Sequence, residues 1–560
     1  MNKKFFAALA SATMALSATG SLAVFADDFD VVDETTDNNV VQGGNAVASD
    51  GSVVLNDTNF PDKTFRRAVH AATGVGEGKA ISKDKLEAVK TIVIANQKVT
   101  IDGKGGALKN PEDVSSLEGI QYFTNLQSFT STNKNLSDIN LKANTKLSKI
   151  DISYATGLTS LEVPATNTLR ELYLSGTNTG NGMASHDVAP LPVLDLSGNK
   201  GLQTVQIRST AIAVLDFSNN PYLSWVDVSW NELNTLKLDG ALAIKTLWAN
   251  NNRLYSITLP ENSSLAELHV YGNKLQALDV TAEPDLTVLD ARNNCLKALD
   301  LTNNTKLANL NVASNNLGCL DLSKNTALTK TVVNTQHAFV DYDFDEVDLT
   351  KNFENLKKKN AKIADKSAAS LSDGVLSFKS GVKAASYNYN TESPANDTMT
   401  VVIIKADLMN RLYNPNSGEH FYTKDTNEKD VLVGLGWKDE GIGWVAPNKD
   451  VQREEAVYRL YNPNAGDHHY TTNTRERDAL VSAGWKSEGI GWYSAKSSTT
   501  FSYNKSTTST LTVDSLDLFR EYNPNAKAAG AHNYTLDEAE NDFLCSIGWI
   551  PEGKAWAGLK

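Results

Sequence analysis

Three copies of a His-x-Tyr-Thr run, at His420, His468 and His532 with Tyr422, Tyr470 and Tyr534, are the densest concentration of polar chemistry in the chain. Each follows an Asn-Pro-Asn turn and precedes paired tryptophans, Trp437/Trp444, Trp485/Trp492 and Trp549/Trp556. Imidazole, phenol and carboxylate together can move protons, hold a metal or grip a ligand's hydroxyls. Repetition of one polar set argues against a single catalytic centre, which needs different residues in different roles. Metal binding needs clustered ligands at fixed spacing; only His468 and His469 are adjacent, and neighbours on a strand diverge. Two readings remain, three equivalent binding pockets or a fold requirement shared by three copies. The Trp pairs favour the fold requirement, since Gly-Trp after a helical run reads as core. The acid before the histidine, Glu419 and Asp467, becomes Ala531 in the third copy, so one pocket can differ from the others.

A second set lies upstream. Trp225, Asp227, Trp248, His269, Tyr271, Asp290 and Arg292 recur within a pattern that returns every 21 residues, with units starting at Leu202, Leu223, Ile244, Leu265, Leu286, Leu307 and Leu328. A unit reads roughly LxxLxVxxNxLxxLDLSxNxx. Its six apolar positions contribute roughly 9–18 kcal/mol when buried, while ordering each of its backbones costs about 1–2 kcal/mol. One unit therefore cannot fold alone, and the period implies a solenoid in which each coil covers the next. Residues between the inward leucines face outward on the concave sheet, where neighbouring coils set them side by side. A patch of two Trp, a Tyr and a His suits ligand binding, although aromatics also suit strand positions in general.

Asn231, Asn252, Asn273, Asn294 and Asn315 repeat at one place in the unit, with Thr210 and Gln336 in that slot at the flanks. An inward amide must be satisfied, so this ladder is expected to bond the backbone at the tight turn and to be structural. On these residues the repeat resembles the leucine-rich repeat family of bacterial surface proteins, internalin-like in kind. The resemblance implies a Gram-positive host and a concave recognition face.

Residues 1–26 read as a secretory signal peptide, with Lys3 and Lys4, an apolar run from Phe5 and a Val24-Phe25-Ala26 end. Without those two lysines, 51 basic residues face 66 acidic ones, a formal charge of −15, which disfavours nucleic acid as a partner. No other stretch reaches the roughly 18–20 apolar residues that span a bilayer. With neither a hydrophobic tail nor a sorting signal at its end, the mature protein is expected to be secreted, and released or held non-covalently at the cell wall. Cys295, Cys319 and Cys545 are too few for a disulfide framework. Cys295 and Cys319 sit in neighbouring coils and either pair or remain buried thiols.

The expected organisation is mixed α/β and multidomain. Residues 27–52 form a disordered acidic leader and 53–125 an N-terminal cap. The solenoid covers 126–337, a connector and β-rich unit 338–405, and a three-copy α+β domain 406–560, with copies at 410–446, 457–493 and 518–556. In the cap, Phe65 and Val69 mark one helix, and Leu86 and Val89 a second after Ser82. This pair resembles the cap of Gram-positive leucine-rich repeat proteins, in which a calcium-type loop often joins the helices. Gly74, Gly76, Gly78 and Lys85 stand where ligands would be needed, so no calcium is expected. The unit from Leu169 is twelve residues longer than the others, and its insertion around 179–186 is either a partner contact or a bland loop. Residues 344–366 read as a partly helical connector; Val375–Phe378, Ala384–Tyr389 and Met399–Ile404 read as strands that close the solenoid's open end. In the first tail copy, 426–435 reads as a helix with Val431 and Leu435 inward.

The tail repeats, from YNPN to EGxxW, resemble an uncharacterised tandem module at the C-terminal ends of secreted Gram-positive surface proteins and wall hydrolases. The resemblance does not name what the module binds; from the company it keeps, the tail is expected to hold the protein to cell-wall polysaccharide or peptidoglycan, or to extend its adhesive surface. The GxSxG, HExxH and GxxxxGK[ST] patterns of common enzymes do not occur. The chain thus reads as a non-enzymatic, surface-associated binding protein or adhesin, without cofactor or metal, for a host or bacterial surface protein or glycan. The alternative is a wall glycan hydrolase with an unfamiliar site.

Overall fold

The computed structural model describes residues 47–95, 98–104, 114–176, 188–261, 263–451, 453, 455–504, 508–526 and 529–560. The expected signal peptide, most of the acidic leader and the insertion around 179–186 lie outside the described residues. Among the described residues no helix is long and apolar enough to cross a membrane.

The 21-residue pattern winds the chain into a solenoid whose inner strands form one twelve-stranded sheet. Val226, Leu247, Leu268, Leu289 and Leu310 pair in direct parallel register, one per coil, and all point into the core. The sheet begins earlier than the repeats imply, because Thr91–Ala95 already pairs in parallel with Ser128–Ser131. Ahead of it, the helices Lys63–Thr73 and Lys83–Ala88 cover the first coil. Asp62 caps the first helix through Thr64 and Phe65 N–H, and its second oxygen accepts from Ser115 N–H, which ties cap to solenoid. Across the joining loop, the Lys85 ammonium of the second helix donates to Thr73 O at the end of the first, at 2.8 Å.

Each asparagine of the ladder joins its own coil to the preceding one through three bonds. Asn273 Nδ2 donates to Ala249 O at 3.0 Å and Val270 O at 2.9 Å, and its Oδ1 accepts from Leu254 N–H at 3.1 Å. Asn252, Asn294 and Asn315 repeat those three bonds one coil apart. Asn231 makes the same donations, while Thr210 donates to its Oδ1. Gln336 closes the series on Val312 O and Val333 O. A second series on the opposite side, Asn199, Asn220, Asn304 and Asn325, donates to carbonyls of the preceding coil.

Past the last coil, Gln336–Asp341 pairs in parallel with the sixteen-residue strand Thr398–Tyr413. The Tyr387 hydroxyl donates to Gly318 O, and Phe353 occupies the space a side chain at Gly318 would need. Helix in the connector is confined to the α-turn Leu349–Asn352 and the 3-10 turn Lys358–Asn360. The long strand leaves the capping unit and becomes the first strand of the tail, so the boundary expected at 405/406 falls inside one uninterrupted element. The Ser/Thr-rich stretch between tail copies two and three is a hairpin, Ser498–Asn504 against Ser509–Tyr522. Its Phe501, Leu511 and Val513 pack on Ala384, Val402 and Ile404 of the capping unit.

Each tail copy supplies two antiparallel strands, a nine-residue helix and a returning strand. Val431 and Leu435 do not point inward; they are 62% and 71% exposed, and none of the three helices buries a residue. The tryptophans and tyrosines of the strands already fill the centre, which leaves the helices on the outside.

Candidate functional site

On the concave sheet the 21-residue register brings six of the seven candidate side chains to one open, half-buried surface. Trp248 and His269, on adjacent strands, stack at 3.6 Å between ring centroids and 15° between planes. Burial, and then the Arg292 charge, push the His269 imidazole down to about 4, so it is neutral at physiological pH. Arg292 lies over the Tyr271 ring at 4.2 Å and pairs with Asp290 at 2.8 Å. Trp225 stands beside Thr246 at the other edge of the patch. Asp227 is the exception: it is buried and already satisfied by Ser229 N–H and Oγ–H, with Arg208 at 3.6 Å. The patch thus offers neutral stacked rings next to a balanced ion pair.

The tail tyrosines lie elsewhere than expected of binding residues. Tyr422, Tyr470 and Tyr534 are fully buried and close a ring of hydrogen bonds around the centre of the domain. Tyr534 Oη–H donates to Tyr470 O at 2.9 Å while accepting from Tyr470 N–H at 3.2 Å. Tyr470 does the same to Tyr422, and Tyr422 to Tyr534. Trp444, Trp492 and Trp556 form a second triangle, with ring centroids 5.5–5.7 Å apart. A phenol in each copy satisfies the strand edge of another, so these tyrosines bind the fold together and do not face a ligand.

His420, His468 and His532 sit at the three seams between copies. Each imidazole packs against the tyrosine of its own Tyr-Asn-Pro-Asn turn, at 5.0, 5.0 and 5.3 Å. Beside each is an arginine that bridges two copies: Arg459 joins Glu428 to Glu488, Arg520 joins Glu476 to Glu552, and Arg411 joins Glu540 to Glu440. Burial, before any neighbouring charge, drives His420 and His532 down to about 3, so neither carries charge at neutral pH.

The seams differ in what fills them. At the first, the Phe421 ring meets His468 at 4.7 Å and Trp437 at 6.0 Å, and Glu419 binds His468 Nδ1 at 2.7 Å. At the second, His469 meets His532 at 4.6 Å and Trp485 at 6.1 Å, and Asp467 accepts from Gly530 N–H. At the third, the corresponding residues are Asn533 and Ala531, and a pocket of ≈ 480 Å³ opens beside His420, Asn533 and Trp549. The sequence signal was present at Ala531; the matching change at 533 acquires meaning only once the seam is seen.

The tail folds back along one flank of the solenoid. Glu538 pairs with Lys274 at 2.6 Å and Arg253 at 3.3 Å, Asn234 Nδ2 donates to Asp542 at 2.6 Å, and His337 Nε2 meets Lys560 O at 2.7 Å. Tyr255 and Cys295 are buried with the tail's aromatic core. Cys295 and Cys319 are free thiols, Cys319 donating to Glu354 O. No three His, Cys, Asp or Glu residues cluster as metal ligands among the described residues.

Residues 408–559 match a family model described as a domain of unknown function, DUF5648. No curated protein sequence matches the chain. Among solved structures, the functional domain of InlJ from Listeria monocytogenes aligns at 18% identity over 64% of this chain and 100% of that one, with a TM-score of 0.27. InlP from Listeria monocytogenes aligns at 16% identity over 62% and 96%, with a TM-score of 0.35. An internalin, InlF, from the same species aligns at 19% over 50% and 90%, with a TM-score of 0.29. At these scores nothing about ligands or partners passes from them to this chain.

Proposed function

We propose that the chain is a secreted, surface-associated binding protein of a Gram-positive bacterium. The concave face of its solenoid recognises a surface protein or glycan, and its tail holds it non-covalently to cell-wall polysaccharide or peptidoglycan. The observation that carries the reading is the Trp248–His269 stack beside the Tyr271–Arg292–Asp290 group on an open sheet. Large rings with few rotors, flanked by a charge pair that fixes orientation, make a surface that gains more from desolvation than it loses in order.

The test uses the full chain, because the tail covers Tyr255 and Cys295 and a cut between the domains would expose them. Wild type and Trp248→Ala are applied to arrays of surface glycans and surface proteins, and separately sedimented with purified cell walls. The expected result is loss of the array ligand by Trp248→Ala with unchanged wall sedimentation and unfolding. Retention of every array ligand by a folded Trp248→Ala overturns the concave-face reading.

A further inference from the structure

The three tail copies place homologous residues at three seams, which turns the domain into an internal comparison of one site in three versions. Two seams are closed by a ring at the position after the histidine, Phe421 or His469, and by an acid before it. In the third, both fillers are missing, and the loop between Tyr522 and His532 is nine residues long instead of six. Trp549, whose counterparts Trp437 and Trp485 meet those rings edge-on, instead faces the pocket.

A second change in the same copy points the same way. Where copies one and two carry Leu412 and Leu460, both fully buried, copy three carries Glu521, also 0% exposed. Its cross-strand partner is Asn533, as Phe421 and His469 are partners of the two leucines. Asn533 Nδ2 donates to Glu521 Oε2 at 3.1 Å, while Glu521 Oε1 has no partner. A carboxyl in a leucine's place is costly for folding alone. Here it orients one amide at the pocket wall.

We propose that the seam between the third and first tail copies is a binding pocket for one neutral sugar ring, with Trp549 and Tyr413 against its faces and Asn533, His420 and Asn523 at its hydroxyls. This rests on the reading of the tail as the part that holds glycan. The volume lies within the roughly 300–1,000 Å³ of small-ligand pockets. Among the described lining residues there is no lysine or arginine, and the one carboxylate, Glu540, is held by Arg411 at 2.6 Å. Those described residues offer an anion no free positive charge. Asn533 is already held by Glu521 and Tyr422, and His420 Nε2 by Arg411, so what an apolar ligand would deprive of water is the remaining polar edge of the wall, Asn523 Nδ2 included. A pyranose matches both demands, since its C–H face covers aromatic rings while its rim of hydroxyls meets amides and a neutral imidazole that both donates and accepts. Glu521 is a positioning residue, acting through Asn533.

The experiment titrates the full chain with methyl glycosides of glucose, galactose, mannose and N-acetylglucosamine, read by ligand-observed NMR. Two variants give the third seam the residues of the first: the double variant Glu521→Leu/Asn533→Phe, and Ala531→Glu. At least one glycoside should bind wild type, and each variant should weaken it by about tenfold or more, with the thermal midpoint of the double variant at or above that of wild type. Ala531→Glu leaves Glu521 and Asn533 in place and carries the same expectation if the double variant folds poorly. No binding to any glycoside, or equal binding by both variants, overturns the pocket. If no glycoside binds, or both variants bind it as wild type does, while wild type still sediments with cell walls, the pocket fails and tail attachment stands. If wild type binds sugar but not walls, attachment fails while the pocket stands.

Discussion

Replacing Glu521 by glutamine should remove a pH dependence of stability that the wild-type tail carries. Burial drives this carboxyl up from its ordinary range to about 7. The hydrogen bond from Asn533 opposes the shift, the Glu540 and Asp542 charges reinforce it, and Arg411 works against it. The ordinary value of a glutamate is 4.5, so the folded pKa is the higher one. Below about 4.5 both states are protonated and the group adds no pH dependence. Between about 4.5 and 7 the unfolded chain has released a proton that the native state still holds, so stability falls as pH rises. Above about 7 both states are ionised and the penalty is constant, about 3 kcal/mol at roughly 1.4 kcal/mol per pKa unit. Glutamine keeps the shape and the Asn533 contact but cannot ionise. Denaturant unfolding of wild type and Glu521→Gln at pH 5 and pH 8, read by the tail tryptophans, isolates the effect, since groups remote from residue 521 cancel between the two proteins. Glu521→Gln should gain about 2.5 kcal/mol on wild type between the two pH values, the rest of the penalty being present already at pH 5. A gap between the proteins that is equal at both pH values would refute the account of a buried, protonatable carboxyl.

Two further outcomes follow from the hydrogen-bond geometry. Asn273→Ala removes a partner from Ala249 O, Val270 O and Leu254 N–H in the middle of the stack, and each buried group left unpaired costs about 1–3 kcal/mol; the solenoid's unfolding midpoint should drop clearly, whereas an unchanged midpoint would mean that water replaces the amide. Tyr534→Phe deletes the hydroxyl that serves both Tyr470 N–H and Tyr470 O, so it should destabilise the tail by about 2–4 kcal/mol while leaving the solenoid transition in place, and calorimetry resolving the two transitions reads the difference.

The 21-residue period, the inward leucines and the Asn ladder were legible in the chain because they are consequences of a local repeat. A coil that must cover its neighbour imposes the same residue at the same place each time. The repeat also set Trp248 beside His269, since parallel strands one period apart align directly. The tail resisted the same treatment. His420 and Tyr422 are two residues apart on one strand, yet the first lies at a seam and the second in the buried centre. Strand alternation puts both on one face, so periodicity alone cannot tell which end of that face lies at a seam and which in the centre. Val431 and Leu435 misled for the same reason: a helix with apolar residues reads as inward, but the centre was already occupied by tyrosines and tryptophans. The pocket required tertiary structure altogether, because Glu521, Asn533 and Trp549 of one copy meet His420 and Tyr413 of another more than a hundred residues away. Sequence determined what repeats; only the closed arrangement of the copies decided which repetition is filled and which is left open.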